Sequence, residues 1–197
     1  MRIEICGAIG SGKSSLAKLL LEHGYEVVFE EFKLNPFWKA FYSNPDKYNF
    51  ETEVTFILQH YHDLKRKLEE SNSAVCDFSF TQDLGYAVMG LKRKPLKIFK
   101  SIYDYIIEEL GEPSLIISMK CSAEELLRRI KLRGREEEIL INSNFLLNLS
   151  SFVNAEVEKK RKLNKYIQFL EIDTEKLNII TNSKDQNFIL KKIEKLI

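Results

Sequence analysis

Cysteine is scarce in this 197-residue chain: Cys6, Cys76 and Cys121 stand far apart, in no zinc-binding or redox spacing. That excludes a disulfide framework and a thiolate metal centre, and the apolar runs around each thiol suit small buried side chains. With four prolines and eight glycines, there is no Pro/Gly/Ser-rich linker, and no repeat or low-complexity tract either. Residues 1–197 are therefore expected to form one domain. No apolar run approaches transmembrane length and no signal-peptide pattern opens the chain, so a cytoplasmic setting without membrane attachment is expected. An excess of charge is missing too. Thirty Lys and Arg against 29 Asp and Glu leave a net charge of +1, which gives no general pull toward nucleic acid or anionic lipid. Any anion site must be local. What remains, 44% hydrophobic and 30% charged residues, is enough for an ordinary packed core.

Apolar runs alternate with stretches of helical period. Strands are expected at 2–6, 26–30, 73–79, 113–120 and 166–173. Between them, helices are expected after residue 12, through 45–71, over 81–91 and 95–110 divided by Lys94-Pro95, from a Ser122–Glu125 capping box, and from Lys184 onward. Strands apolar on both faces, separated by helices, indicate a parallel sheet covered on both sides. The fold class is α/β.

Three of the eight glycines fall within Gly7-Ala8-Ile9-Gly10-Ser11-Gly12-Lys13-Ser14, followed by Ser15. This is the G-x-x-x-x-G-K-[ST] pattern, and it lies between a strand and a helix, the context the motif requires. Its glycines let backbone N–H groups turn inward around phosphates. Lys13 would reach the β- and γ-phosphates, and the Ser14 hydroxyl would hold Mg²⁺. At the end of another strand, "CDFSFTQD" places Asp77 where ligands gather in parallel sheets, able to orient Mg²⁺ or to cap the next helix.

"RRIKLRGREEE" (128–138) concentrates five basic residues before three acids. Arg129 and Arg133 share a helix face, and Gly134 breaks the helix so that Arg135 can swing separately. A lid over roughly 128–140 that closes guanidinium groups on a phosphoryl group has this composition. Glu30 and Glu31 end the second strand. Either could be a general base, although such a pair is more often a solvated turn.

Together these segments resemble the deoxynucleoside kinases, the group that includes deoxycytidine, deoxyguanosine and deoxyadenosine kinases. The likeness rests on "GAIGSGKSSL", on "EVVFEEF" with "NPFWKAFYSNPDKYNFETEVTFIL", on "CDFSFTQD" and on "RRIKLRGREEE". It implies a P-loop fold, a five-stranded parallel sheet wrapped by helices with an arginine-rich lid, usually as a homodimer. It further implies transfer of the γ-phosphoryl group of ATP, with Mg²⁺, to a deoxynucleoside 5′-hydroxyl. By the same resemblance Glu31 is the catalytic base, Arg129 the phosphate-binding lid arginine, and Arg133 and Arg135 its companions. Tyr42 and Glu138 would hold the sugar 3′-hydroxyl, Asp83 would contact the base, and Asp77 would be the acid of an Asp/Glu-Arg-Ser triplet.

The departures fall on the acceptor side. Phe32 stands for the proline after the base, Glu53 for a base-reading glutamine, His60 near a frequent arginine, Ala87 for a stacking aromatic, and Phe78 for the triplet arginine. Arg128 and His60 are the candidate cations to replace that arginine. An ionised carboxylate at Glu53 accepts only, which suits the paired N1–H and N2–H₂ donors of guanine. Two other readings stay open: a P-loop kinase of another small hydroxyl or nucleoside monophosphate, and a nucleotide-binding protein impaired in catalysis.

Overall fold

The computed structural model describes all of residues 1–197. Its sheet has five parallel strands, β1 (Arg2–Cys6), β2 (Val27–Val28), β3 (Ala74–Cys76), β4 (Leu115–Lys120) and β5 (Gln168–Asp173), in the order β2-β3-β1-β4-β5. Eight helices surround it: α1 (Lys13–Glu22), α2 (Trp38–Ser43), α3 (Pro45–Glu70), α4 (Phe80–Gly90), α5 (Arg93–Leu110), α6 (Ala123–Arg133), α7 (Ser143–Leu163) and α8 (Ser183–Glu194). Successive strand side chains point to opposite faces. Ile3, Ile5, Leu115 and Ile117 therefore pack with Leu16 and Leu20 of α1 and Ile193 of α8, while Cys6 and Ile116 join Leu146 and Leu149 of α7 on the other side. Both faces are apolar because both are covered. No helix is long and apolar enough to cross a membrane.

The helix-start signals are used as the residues suggest. Asn44 caps α3 by accepting from the Lys47 N–H, with Pro45 at the first helical position. The two helices expected here form as α4 and α5, but the break falls at residues 91–92 rather than at Lys94-Pro95. The helix α5 starts two residues earlier, and Pro95 sits in its first turn, where the N–H that proline lacks has no helical partner to lose. The capping box on α6 is half formed. Ser122 accepts from the Glu125 N–H, but the Glu125 carboxylate turns outward to Arg128 and Arg129 instead of back to Ser122.

Helix α7 fills a stretch to which the sequence pattern assigned nothing, capped by Asn142 through the Phe145 N–H. It packs closely on α4. A Cβ on Gly85 would come within 2.8 Å of the Val153 Cα, so only glycine permits that approach. The start of α4 is fixed from beneath. The buried Glu4 carboxylate accepts from Ser79 Oγ at 2.8 Å and from the Phe80 N–H at 3.2 Å, and pairs with Arg2 at 3.0 Å. Arg2 in turn donates to the Leu110 and Gly111 carbonyls that end α5. This network sets α4, and with it Gln82, Asp83 and Tyr86, against the end of the sheet.

Candidate active site

A cleft of about 750 Å³ runs along the C-terminal ends of the strands, from the β1–α1 loop to the face of α3. At one end Gly7–Gly12 wrap the start of α1. Gly10 and Gly12 have φ of 83° and 98°, left-handed values that favour glycine. A Cβ on Gly7 would lie 2.6 Å from Ser11 Oγ. The Gly7 N–H is anchored by Gln82 Oε1 of α4 at 3.0 Å, a tie no local pattern announces. Lys13 Nζ lies across the loop, donating to the Gly7 carbonyl at 2.9 Å. The first turn of α1 has no capping side chain and no acid. Its unpaired N–H groups and positive helix end thus face an anion-sized hollow.

Asp77 follows β3 beside Lys13 and Ser14. It is 3% exposed, and its Oδ1 has no hydrogen-bond partner. Burial raises its carboxyl to about 6, opposed by the Lys13 charge and the Ser14 hydroxyl. An orphaned carboxylate oxygen next to a P-loop serine is the donor set a hard divalent cation prefers, so these two residues fit Mg²⁺.

The arginine segment forms the other wall. Arg129 donates to Thr174 Oγ1 at 3.0 Å, to the Thr174 carbonyl at 2.7 Å and to Glu125 at 2.8 Å. Gly134 ends α6 in the left-handed conformation, a common glycine cap for a helix end. On either side of it, Arg133 and Arg135 converge on Glu138, at 2.5 and 3.2 Å, and Glu138 is only 2% exposed. Arg135 also lies 4.0 Å over the Phe32 ring. Tyr42 packs near this knot, its phenol held neutral by burial and by the Glu138 charge. The structure thus brings Arg133, Arg135, Glu138 and Tyr42 together. Arg128 is largely exposed, bound through two nitrogens to Glu125.

At the acceptor end the expectation for Glu31 does not hold. Glu31 is exposed at the start of the short turn Phe32–Leu34 and lines no part of the cleft, whereas Glu30 does. Side chains alternate along an extended segment, so adjacent acids cannot both face inward, and Glu30 shares the parity of buried Val28. That parity was the available signal. The strand is also shorter than 26–30. Only Val27 and Val28 pair with β3, leaving Glu30 past the sheet edge, close to His60.

His60, buried on α3, donates from Nδ1 to Asp83 Oδ2 at 2.8 Å and stands 3.5 Å from Glu30 Oε1 through Nε2. Its ring stacks on Phe78 at 4.0 Å between centroids and 4° between planes. Burial alone would lower the imidazole, but Asp83 and Glu30 raise it to about 10, so it is a cation at neutral pH. For Glu30 burial acts upward, yet the bond and charge of His60, with Lys13 and Arg135, bring the net below the usual value. The cation beside Phe78 is therefore His60, not Arg128. Glu53 shares the face of α3 with His60 and lines the cleft, as does Tyr86, while Ala87 beside it is buried in the core. Phe145 and Leu149 of α7 complete the wall, unforeseen because α7 was.

Comparison with known proteins agrees with this geometry. The sequence profile described as deoxynucleoside kinase matches residues 3–197. A deoxyguanosine kinase of Bacillus subtilis (strain 168) is 28% identical over 200 residues, covering 99% of this chain and 97% of the relative. A deoxyadenosine kinase of Lactobacillus acidophilus is 28% identical over 204 residues, covering 98% and 94%. The solved structure of deoxyadenosine kinase from M. mycoides with bound dCTP superposes with a TM-score of 0.80 at 22% identity, over 99% of this chain and 100% of that one. With a phosphate loop, a parallel five-stranded sheet and a family match over nearly its whole length, the chain belongs to the deoxynucleoside kinase family and is a phosphotransferase that uses a nucleotide phosphate donor.

Proposed function

We propose that this chain, acting as a single-domain subunit of a homodimer, transfers the γ-phosphoryl group of ATP to the 5′-hydroxyl of a purine deoxynucleoside, with deoxyguanosine preferred. One observation carries the reading: a single cleft holds the Lys13 phosphate loop at one end and the Glu30–His60–Asp83 cluster at the other. A donor phosphate and an acceptor hydroxyl bound at those ends meet beside Glu30. The loop N–H groups and Lys13 bind the β- and γ-phosphates. Ser14 and Asp77 would hold Mg²⁺, which when bound neutralises charge on the phosphates. Arg129, Arg133 and Arg135 supply further positive charge from the lid and exclude water.

Glu30, ionised through its cationic neighbours, accepts the proton of the 5′-hydroxyl. Tyr42 and Glu138 would hold the 3′-hydroxyl. Glu138 already grips Arg133 and Arg135, so the sugar and the lid are read by one side chain. Asp83 and Glu53 face the base, and the preference for guanine rests on Glu53 together with relatives named deoxyguanosine kinase. The test is ADP formation with each deoxynucleoside and ribonucleoside, alone and in pairwise competition. Purine deoxynucleosides, deoxyguanosine first, should dominate. A clear preference for pyrimidines, or no ADP above background with any nucleoside, would overturn the proposal.

A further inference from the structure

Glu30, Glu53 and Asp83 come to the acceptor end of the cleft from three different elements, and the one cation paired with any of them is His60. The imidazole donates from Nδ1 to Asp83 and makes an ion-pair contact from Nε2 to Glu30 at 3.5 Å, without a hydrogen bond. Glu53 lies two helical turns before His60 on the same face of α3, yet it receives neither nitrogen and pairs with no protein group. It is 6% exposed and its carboxyl borders the cleft. Of three carboxylates around one imidazolium, Glu30 and Asp83 are paired with it and Glu53 has no counter-charge of its own, a costly arrangement for a side chain buried to this extent. The acid without a partner is the one from which negative charge is most easily removed.

We infer that Glu53 carries a proton in the free protein and gives it up to solvent when a base presenting two adjacent N–H donors binds, so that the choice of acceptor is linked to one proton. The inference rests on Glu53 facing the base of the acceptor. A protonated carboxyl offers one donor and one acceptor, the pattern of a glutamine, and matches the edge of adenine or cytosine. An ionised one offers two acceptors and matches the N1–H and N2–H₂ of guanine. One side chain therefore presents either pattern, and the work of removing its proton separates them.

The surroundings favour the protonated form. Burial raises the Glu53 carboxyl well above its usual value, and the charges of Asp83 on α4 and Glu30 after β2 add to this, against His60. Tyr86 of α4 is a neutral phenol, pushed well above its usual value by burial. Lys13 is near enough to lower Glu30 and Asp83 but does not act on Glu53. His60 is already charged at neutral pH, so it cannot take the proton that Glu53 releases. The balance is simple: Glu53–COOH and the guanine edge become Glu53–COO⁻ bonded to two N–H groups, and one H⁺ passes to the buffer.

The sign follows from linkage. Below the pH at which free Glu53 ionises, each unit of rising pH strengthens guanine-nucleoside binding about tenfold, while adenine-nucleoside binding, which keeps the proton, gains nothing. Groups that titrate alike in both complexes, Asp77, Asp83, Glu30 and His60, divide out of the ratio of the two kcat/KM values. That ratio should climb with pH and level off once free Glu53 is ionised. Titration calorimetry of the wild-type chain on the rising, acid side of that ratio, in two buffers of different ionisation heat, should show close to one proton released with deoxyguanosine and none with deoxyadenosine. Glu53→Gln should abolish the release, flatten the ratio and shift the preference toward deoxyadenosine. Deoxyguanosine bound and phosphorylated without proton release, at a pH-independent ratio, overturns the inference and leaves the purine reading standing. Failure of either purine deoxynucleoside to bind overturns that reading itself. The proton count needs only the wild-type protein, so an unstable variant would not spare the inference.

Discussion

Exchanging each of two adjacent acids for its amide separates the catalytic role of Glu30 from that of Glu31. Glu30 lines the cleft with its carboxylate 3.5 Å from His60 Nε2, and its cationic neighbours keep it ionised at neutral pH. A general base in that position contributes on the order of 10²–10⁴-fold to the chemical step. At about 1.4 kcal/mol per decade, Glu30→Gln should raise the barrier by about 3–5 kcal/mol. The amide keeps the shape and can still offer an oxygen to His60, so the loss should appear in kcat, with acceptor KM changing little. Glu31 is exposed and outside the cleft, so Glu31→Gln should stay within about 0.5 kcal/mol, roughly a factor of two in rate. Steady-state ADP formation at saturating ATP, over a range of acceptor concentrations, measures both variants. A crippled Glu31→Gln beside a near-normal Glu30→Gln would refute the argument from strand parity and return the base to Glu31.

Lys13→Ala should cost kcat on the order of 10³-fold or more while leaving thermal stability nearly unchanged, because Lys13 Nζ touches only loop carbonyls; normal turnover by the folded variant would exclude a phosphate role for this loop. Arg129→Ala should lose on the order of 10²–10³-fold in kcat/KM and Arg128→Ala less than about tenfold, since Arg128 is tied to Glu125 and His60 already supplies the charge beside Phe78; equal losses would show that Arg128 leaves Glu125 to act on substrate. Stability should fall as pH rises from about 6.5 toward about 10. His60 is raised in the fold, so its contribution is complete below the unfolded value near 6.5 and is lost through about 10, at no more than about 1.4 kcal/mol per pH unit. Urea unfolding across that range measures the slope, which His60→Gln should reduce, with the remainder carried by Glu53; an unchanged slope in the variant would place the titration elsewhere.

The donor half of the site was legible because its chemistry is local in sequence. In the proposed function Gly7 to Ser15 would bind phosphate through their own backbone, and Gly134 sits at the end of α6 where the lid is proposed to begin. The sheet was legible for a related reason, since strands covered on both faces must be apolar throughout, as β1 and β4 are. The acceptor half depends on residues distant in the chain, and there reading failed in identifiable ways. Glu30 and Glu31 differ only in parity, and a two-residue match to a family pattern weighs less than the alternation of the strand that carries them. Helix α7 escaped notice because its apolar residues serve a groove against Gly85 that only the folded chain contains.

His60 and Phe78 make the same point more strongly. Taken singly, Phe78 looks like the loss of a charge and His60 like one of two candidate cations to make it good. Stacked at 4.0 Å they form one unit, in which an apolar ring fills the space and an imidazolium, bonded to Asp83 and facing Glu30, supplies the charge. An arginine could reach both acids with a fork of five donors, whereas an imidazolium has two, one bonded to Asp83 and the other facing Glu30. The carboxyl left over is Glu53. An exchange that reads in sequence as three separate departures from a family pattern is thus one electrostatic rearrangement. Its proposed consequence is a proton on Glu53, where the acceptor base is proposed to bind.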